Sequence, residues 1–225
     1  MAKLFLLRHI KSQWNKENRF TGWTDDPLDE DEVYDAKILA DKTINRYKIN
    51  KIYCSVLFRN MDTIARMFEY SKEYPTFCHL DSGKMQKWGK YIYSGDDDIQ
   101  VAVSEKLNER HYGKLQGMNK EVAMAEYGKD LVHLWRRSYN IAPPGGESLK
   151  DVVRRAIPFY KKYIERDLRN GNNVLVVASH NPLRAIVKYL EKIPDKKIIN
   201  LEIPYAGLFM YDLDVGLKVR NKSVL

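Results

Sequence analysis

The sequence is poor in cysteine and in long apolar runs, and each shortage excludes a class of protein. Two cysteines, Cys54 and Cys78, among 225 residues cannot supply the disulfide framework of a small secreted domain. The apolar run at 4–7 ends at Arg8, which makes it too short to span a membrane. We therefore expect a cytoplasmic protein without a membrane partner.

Familiar ligand-binding motifs are also missing. Neither GxGxxG nor GxxxxGK[ST], the glycine-rich loops that bind nucleotide phosphates, occurs in the chain. His79, His111 and His133 lack HExxH spacing, and no CxxC is present, so the sequence predicts no metal site. No block of five or more Lys and Arg residues occurs, and no stripe alternates Arg with aromatics. We therefore do not expect a nucleic-acid partner.

The net charge of +8 needs another explanation. By itself it leaves nucleic acid, an acidic membrane surface and small anionic ligands open. We assign most of the lysines to solvated helix faces. The cations of interest are those beside histidines, glycines and the ends of strands.

Hydrophobic periodicity predicts an α/β fold, and a length of 225 residues fits one large domain or two small ones. Apolar strands alternate with amphipathic helices, which is typical of a three-layer structure: a mainly parallel sheet with helices on both faces. Such folds bind ligands beyond the carboxyl ends of their strands. The glycine- and aspartate-rich stretch 76–98 reads as a surface insertion. The predicted strands are 3–7, 51–56, 100–104, 173–180 and 207–214.

Two histidines follow predicted buried strands, and each has an arginine near it. His9 follows Arg8, and His180 precedes Arg184. If both strand ends meet at one crevice, two imidazoles and two guanidinium groups surround a site suited to phosphate. A neutral imidazole can also attack phosphorus and carry the phosphoryl group. On spacing alone, a structural hydrogen-bonding role for each histidine is an equal alternative.

Longer stretches carry a more specific signal. LRHIKSQWNKENRFTGWTDDPL (7–28), KLNERHYGKLQGMNK (106–120), WRRSYNIAPPGGESL (135–149) and ASHNPLRAIVKYLE (178–191) resemble the cofactor-dependent phosphoglycerate mutases of the histidine phosphatase superfamily. The resemblance runs along most of the chain and implies a single domain, 1–225, that interconverts 3- and 2-phosphoglycerate through a phosphohistidine. It also implies a small phosphorylated substrate, 2,3-bisphosphoglycerate as primer, and no metal.

The resemblance also implies roles for individual residues. His9 matches the phosphorylated histidine, Arg8 and Arg59 match phosphate-binding arginines, His180 matches the second histidine, and Glu109 matches the proton donor and acceptor. The positions that match substrate-binding residues are Ser12, Asn15, Thr21, Gly22, Arg110, Tyr112, Lys120, Arg136, Arg137 and Asn181.

The chain departs from the family pattern at several places, among them Lys11, where Glu or Gln is usual. Ile10 stands where the family has glycine, and we expect its stiff branched side chain to crowd the phosphate in part and to slow the enzyme. The stretch after His180 is one residue short, so that an ungapped match puts Ser179 in place of the histidine. PYAG (204–207) replaces Pro-Thr-Gly.

Three other functions remain open at this point. Water could discharge His9, which would make the protein a phosphatase. Ile10 and the short stretch after His180 also fit a non-catalytic relative that binds an anion or a protein. A basic nucleic-acid-binding module is the most distant alternative. The sequence leaves a homo-oligomer open.

Overall fold

A seven-stranded sheet forms the centre of the computed structural model, which describes residues 2–89, 95 and 97–225. The strand order is β3-β4-β2-β5-β1-β6-β7. The strands from β3 to β1 pair in parallel, and β6 and β7 are antiparallel additions at one edge. The strands are β1 Ala2–Arg8, β2 Lys51–Cys54, β3 Tyr74–His79, β4 Asp98–Val103, β5 Val174–Ala178, β6 Leu208–Leu213 and β7 Val219–Val224.

Helices cover both faces of the sheet, which confirms the predicted three-layer α/β class. They are α1 Gln13–Lys16, α2 Asp35–Lys42, α3 Phe58–Phe68, α4 Lys84–Gly89, α5 Lys120–Tyr127, α6 Lys129–Arg137, α7 Leu149–Phe159, α8 Glu165–Arg169 and α9 His180–Leu190. In the part of the chain that the structure describes, no helix combines the length and apolarity needed to cross a membrane.

Alternation along β1 explains the two layers of core. Leu4 and Leu6 point to the face that packs against α7 and α9, whereas Phe5 and Leu7 point to the face covered by α2 and α3. Successive side chains of a strand point to opposite faces, so a strand buried on both sides is apolar throughout. A third, smaller cluster joins Phe20 to α5 and α6, beside the carboxyl edge of the sheet.

Pro158 interrupts the helix predicted over 147–171. It lies inside α7, and the chain then makes one π-helical turn, Tyr160–Ile164, before α8. Proline lacks an N–H and its ring clashes with the carbonyl four residues earlier, so a wider turn nearby is the usual adjustment. Where the sequence predicts a kink, the structure shows a change of helical pitch directly after the proline.

The edges of the sheet differ from the sequence prediction. Residues 76–79 belong to strand β3, which pairs with β4, so the stretch 76–98 is not wholly a surface insertion. Residues 90–94 and 96 of that stretch lie outside the described residues. β7 is largely exposed, and an edge strand of this kind lacks the alternation by which strands are recognised.

The site begins where β1 and β5 end. Arg8 lies opposite Ala178 in the parallel register, and the His9 N–H donates to the Ala178 carbonyl at 3.3 Å. His180 comes two residues later. Because the two strands are neighbours, the histidines that follow them meet at one crevice.

Candidate active site

His9 is a buried imidazole with a defined tautomer. Its Nδ1 lies 2.6 Å from the carbonyl oxygen of Ile10. A carbonyl only accepts hydrogen bonds, so Nδ1 carries the proton and Nε2 keeps the lone pair. Burial, followed by the charges of Arg59 and Arg8, holds the pKa of His9 well below its ordinary value. The result is a neutral imidazole with a free nucleophilic nitrogen.

The loop before β6 holds the Arg8 guanidinium. Nη1 donates to the Ile203 carbonyl at 2.6 Å, and the guanidinium carbon lies 3.6 Å from the centroid of the Tyr205 ring. Arg8 Nε is buried and has no hydrogen-bond partner among the described residues. Buried donors are almost always satisfied, so this one is suited to an anionic ligand.

Arg59, near the start of α3, has a similar arrangement on the other side of His9. Its Nη2 donates to the Gly22 carbonyl at 2.8 Å, and its Nη1 donates to the Thr24 carbonyl at 2.8 Å and to Asp26 at 3.3 Å. Its Nε has no partner within the described parts of the chain. Gly22 has φ +58°, and a Cβ there would lie 2.2 Å from the Gln116 side chain. The left-handed backbone and the close approach of Gln116 both favour glycine at the turn that holds Arg59.

His180, and not Ser179, reaches the cavity. His180 is the first residue of α9 and lines the cavity beside His9. Ser179 does not line it, and its hydroxyl instead accepts a hydrogen bond from Asn60 Nδ2 at 3.2 Å. Burial, followed by the charges of Arg8 and Arg184, lowers the pKa of His180 well below its ordinary value. The stretch after His180 is one residue shorter than in the family, and the start of α9 accommodates this difference.

Glu109 presents two unequal carboxylate oxygens. Its Oε1 accepts hydrogen bonds from the Arg110 N–H at 2.6 Å and from Asn181 Nδ2 at 2.7 Å. Arg184 Nη1 donates to Asn181 Oδ1 at 3.0 Å, which fixes the amide with its nitrogen toward Glu109. Within the described chain, no hydrogen bond reaches Oε2. One oxygen is therefore fixed and the other is free to exchange a proton.

The PPGG segment, 143–146, packs against the backbone that follows Glu109 and holds it in place. Gly113 has φ +56°, and a Cβ there would lie 2.1 Å from the Pro144 carbonyl oxygen, so only glycine fits. Arg155 forms a two-pronged ion pair with Glu147 and donates to the Glu109 carbonyl at 2.9 Å. Bidentate ion pairs of this kind fix the orientation of the two side chains as well as holding them together.

Positive charge also collects at the other end of the cavity. Lys120 begins α5, and Arg136 and Arg137 end α6. Burial, followed by the charges of Arg136, Arg8 and Arg137, lowers the pKa of Lys120 to about 8. A lysine in such surroundings is stabilised by a bound anion. The two cationic ends suit a small ligand with two negatively charged groups.

Twelve of the fifteen expected site residues line one cavity of about 220 Å³, which is room for a metabolite-sized ligand. These are Arg8, His9, Asn15, Thr21, Gly22, Arg59, Glu109, Tyr112, Lys120, Arg136, Arg137 and His180.

Ser12, Arg110 and Asn181, which were also expected to bind substrate, are the three that do not line this cavity. Ser12 is fully buried at the start of α1. Arg110 donates to the Arg136 carbonyl at 2.7 Å, and Asn181 fixes Glu109. Each of the three forms hydrogen bonds with residues that line the cavity. Ser12 Oγ and Arg110 Nε and Nη1 are buried without a hydrogen-bond partner among the described residues, as are the Nε atoms of Arg8 and Arg59.

Sequence reasoning missed four lining residues: Arg19, Phe20, Glu202 and Tyr205. Arg19 and Phe20 belong to the RFTGWTD motif and could have been included. Glu202 lies just before the divergent PYAG segment and Tyr205 lies within it, and this segment gave no such signal. Among the described residues, no group of three or more His, Cys, Asp or Glu side chains is placed to hold a metal ion.

Comparison with known proteins first defines the class. The family model of the histidine phosphatase superfamily (branch 1) matches residues 4–79 and 91–219. Between the two matched segments lie residues 80–90, which are fewer than the stretch 76–98 expected as an insertion. Among solved structures, Bacillus stearothermophilus YhfR is similar over 98% of this chain and 95% of its own, with a TM-score of 0.76 and 21% identity. Mycobacterial glucosyl-3-phosphoglycerate phosphatase Rv2419c is similar over 100% and 97%, with a TM-score of 0.74 and 22% identity.

Relatives with higher sequence identity define a narrower group within this superfamily. A protein of Methanococcus vannielii named 2,3-bisphosphoglycerate-dependent phosphoglycerate mutase is 47% identical over 97% of this chain and 94% of its own. A protein of Gloeothece citriformis with the same name is 39% identical over the full length of both chains. The chain belongs to the 2,3-bisphosphoglycerate-dependent phosphoglycerate mutases of the histidine phosphatase superfamily.

Ile10 does not crowd the cavity as the sequence suggested. Its side chain is fully buried in the core beneath α2 and α3 and does not line the cavity. Its N–H donates to Thr63 Oγ1 at 3.1 Å, and its φ is not positive. Glycine is therefore not required at this position, and the expected slowing loses its physical basis.

We predict that Ile10→Gly lowers the free energy of unfolding by about 3–5 kcal/mol, because it leaves a cavity in the core and adds backbone freedom. Urea denaturation measures this loss. Ile10→Val, the matched control, should cost only about 1 kcal/mol. The catalytic efficiency of folded Ile10→Gly should not exceed that of the parent enzyme. A tenfold gain would mean that Ile10 does obstruct the phosphate.

We predict that the His9 imidazole titrates with a pKa well below 6.5 and carries its neutral-form proton on Nδ1. Burial and two neighbouring arginines disfavour the imidazolium, and the Ile10 carbonyl selects the tautomer. ¹⁵N NMR of ring-labelled protein across pH 5–8 measures both properties, and His9→Ala assigns the signals. A midpoint at or above 6.5, or a proton on Nε2, would contradict this description.

Proposed function

We propose that this enzyme interconverts 3-phosphoglycerate and 2-phosphoglycerate through a phosphohistidine on His9. The observation that carries the proposal is the neutral His9, whose Nδ1 proton is held by the Ile10 carbonyl so that Nε2 is free. The names of the relatives at 36–47% identity support the same reaction. We infer that the substrate is a small phosphorylated anion.

The residues around the cavity fit 2,3-bisphosphoglycerate as the primer. Its three anionic groups match a cavity with cations at both ends, and the unpartnered Nε atoms of Arg8 and Arg59 can donate to a phosphate beside His9. When bound, 2,3-bisphosphoglycerate supplies the phosphoryl group that primes His9. Lys120 and Arg137 would hold its other end.

Each transfer needs a nucleophile, a proton carrier and charge neutralisation. In the first transfer, the 2-hydroxyl of 3-phosphoglycerate attacks the phosphoryl group carried by primed His9, its proton passes to Glu109 Oε2, and His9 leaves as neutral imidazole. In the second transfer, His9 Nε2 forms the bond to the other phosphorus while the bond from that phosphorus to the 3-oxygen breaks, and that oxygen takes the proton back from Glu109, which restores the phosphohistidine. Arg8, Arg59 and His180 surround the transferred group and stabilise its charge.

The proposal extends to the whole chain. We infer that residues 1–225 act as one domain, because segments from both halves of the chain line one cavity beside one sheet. We also place the enzyme in the cytoplasm, where its substrates would be formed. A homo-oligomer remains compatible with this function, which needs no residue from a second copy.

We predict primer-dependent isomerisation by the purified protein. ³¹P NMR should follow 3-phosphoglycerate becoming 2-phosphoglycerate only when 2,3-bisphosphoglycerate is present. Release of inorganic phosphate in its place would make the protein a phosphatase, and no turnover would reject both activities.

The same primer should leave an acid-labile phosphoryl group on His9. His9→Ala should abolish labelling, whereas His133→Ala, at an exposed position on α6, should label normally. Label that persists in His9→Ala would move the nucleophile to another residue.

We predict that Glu109→Gln lowers kcat by about 10²–10⁴-fold and leaves substrate binding nearly intact, because the amide keeps the shape of the side chain but cannot give up or accept the transferred proton. Steady-state kinetics and binding calorimetry separate the two effects. Glu126→Gln, at an exposed position on α5, is the matched control. An unchanged kcat with a raised KM would make Glu109 a binding residue.

A further inference from the structure

Glu202 places a second carboxylate inside the cationic cavity. It lies in the loop 201–207, which joins a 3₁₀ turn, Asp195–Asn200, to β6. Its Oε2 pairs with Arg137 Nη1, and its Oε1 lies 3.3 Å from His180 Nε2. Nothing in the proposed reaction assigns this side chain a role.

The two carboxylates of the cavity differ in how they are held. Glu109 is buried, and its fixed oxygen is bound by a backbone N–H and by the Asn181 amide. The Glu202 side chain is 53% exposed, and its contacts are with two groups that line the cavity, Arg137 and His180. It therefore uses the same partners that an anionic ligand would need.

The backbone of this loop is fixed, so motion is confined to the side chain. Arg8 Nη1 donates to the Ile203 carbonyl at 2.6 Å, the Arg8 N–H donates to the Gly207 carbonyl at 3.0 Å, and the Ala206 N–H donates to the His9 carbonyl at 3.2 Å. Glu202 precedes these anchors. Its half-exposed side chain can turn toward water without moving the loop, and exposed ion pairs are cheap to break.

We propose that Glu202 is a specificity-determining residue whose carboxylate competes with the substrate's carboxylate for Arg137. The inference rests on the proposed function, in which the end of the cavity around Lys120, Arg136 and Arg137 receives that group. A ligand with a carboxylate has to displace Glu202 from Arg137, whereas a ligand with only a phosphate beside His9 does not. Glu202 therefore lowers the advantage of phosphoglycerate over simple phosphate esters and eases product release.

Calorimetric binding of two matched ligands tests this competition. 3-Phosphoglycerate has the carboxylate, and glycerol 3-phosphate lacks it; both are titrated into the full-length enzyme without primer. Glu202→Gln should bind 3-phosphoglycerate about fivefold more tightly than the parent, the size expected for an exposed ion pair. Its affinity for glycerol 3-phosphate should change by less than about twofold. Glu105→Gln, which removes a comparably exposed carboxylate paired with Lys106, is the control and should change neither affinity.

Three results would overturn the inference. An equal gain for both ligands would mean that Glu202 only adds general repulsion. Weaker binding of 3-phosphoglycerate would mean that Glu202 orients Arg137 for the substrate, and unchanged affinities would mean that it has no part in binding. These outcomes can be distinguished from a failure of the proposed function. That failure would appear in the parent enzyme, which would then show no primer-dependent isomerisation.

Discussion

Buried positive charge that is held without matching negative charge is the constraint on which the rest of this site depends. Arg8 and Arg110 donate to backbone carbonyls, and so does Arg184, which binds the carbonyls of Arg137 and Ile198 at 3.0 and 2.6 Å. Carbonyl dipoles orient a guanidinium without cancelling its charge. The full charge is therefore kept for an anionic ligand, although burial of unpaired charge costs folding stability.

The neutral state of His9 follows from burial first and from the same cations second. Burial disfavours the charged imidazolium, and the arginines that attract phosphate also repel a proton, so both hold the pKa of His9 well below its ordinary value. The sheet supplies the rigidity this requires, because β1 and β5 end side by side and their side chains are packed on both faces. A site on mobile loops alone would relax and let water screen the charges.

The parts of the fold and of the site that the sequence predicts correctly are those set by a local sequence pattern. Buried strands such as β1 and β5 have an unbroken apolar signature, and motifs such as RFTGWTD identified most of the cavity lining. Other features depend on the folded chain. The direction of the Ile10 side chain is decided by packing against α2 and α3. Glu202 lines the cavity because of where the loop 201–207 lies in the folded chain, although this loop is distant from His9 in the sequence. Strand β7 was missed because its exposed residues carry no core pattern.

The depressed pKa of Lys120 links the charge of the cavity to the solution around it. With a pKa of about 8, this lysine gives up part of its charge in mildly alkaline solution. An anion beside it favours the ammonium form, so the pKa rises when the ligand binds and a proton is taken up from the buffer. Ligand and proton therefore enter together, and affinity declines as the solution becomes alkaline. Heats of binding would vary with the ionisation enthalpy of the buffer.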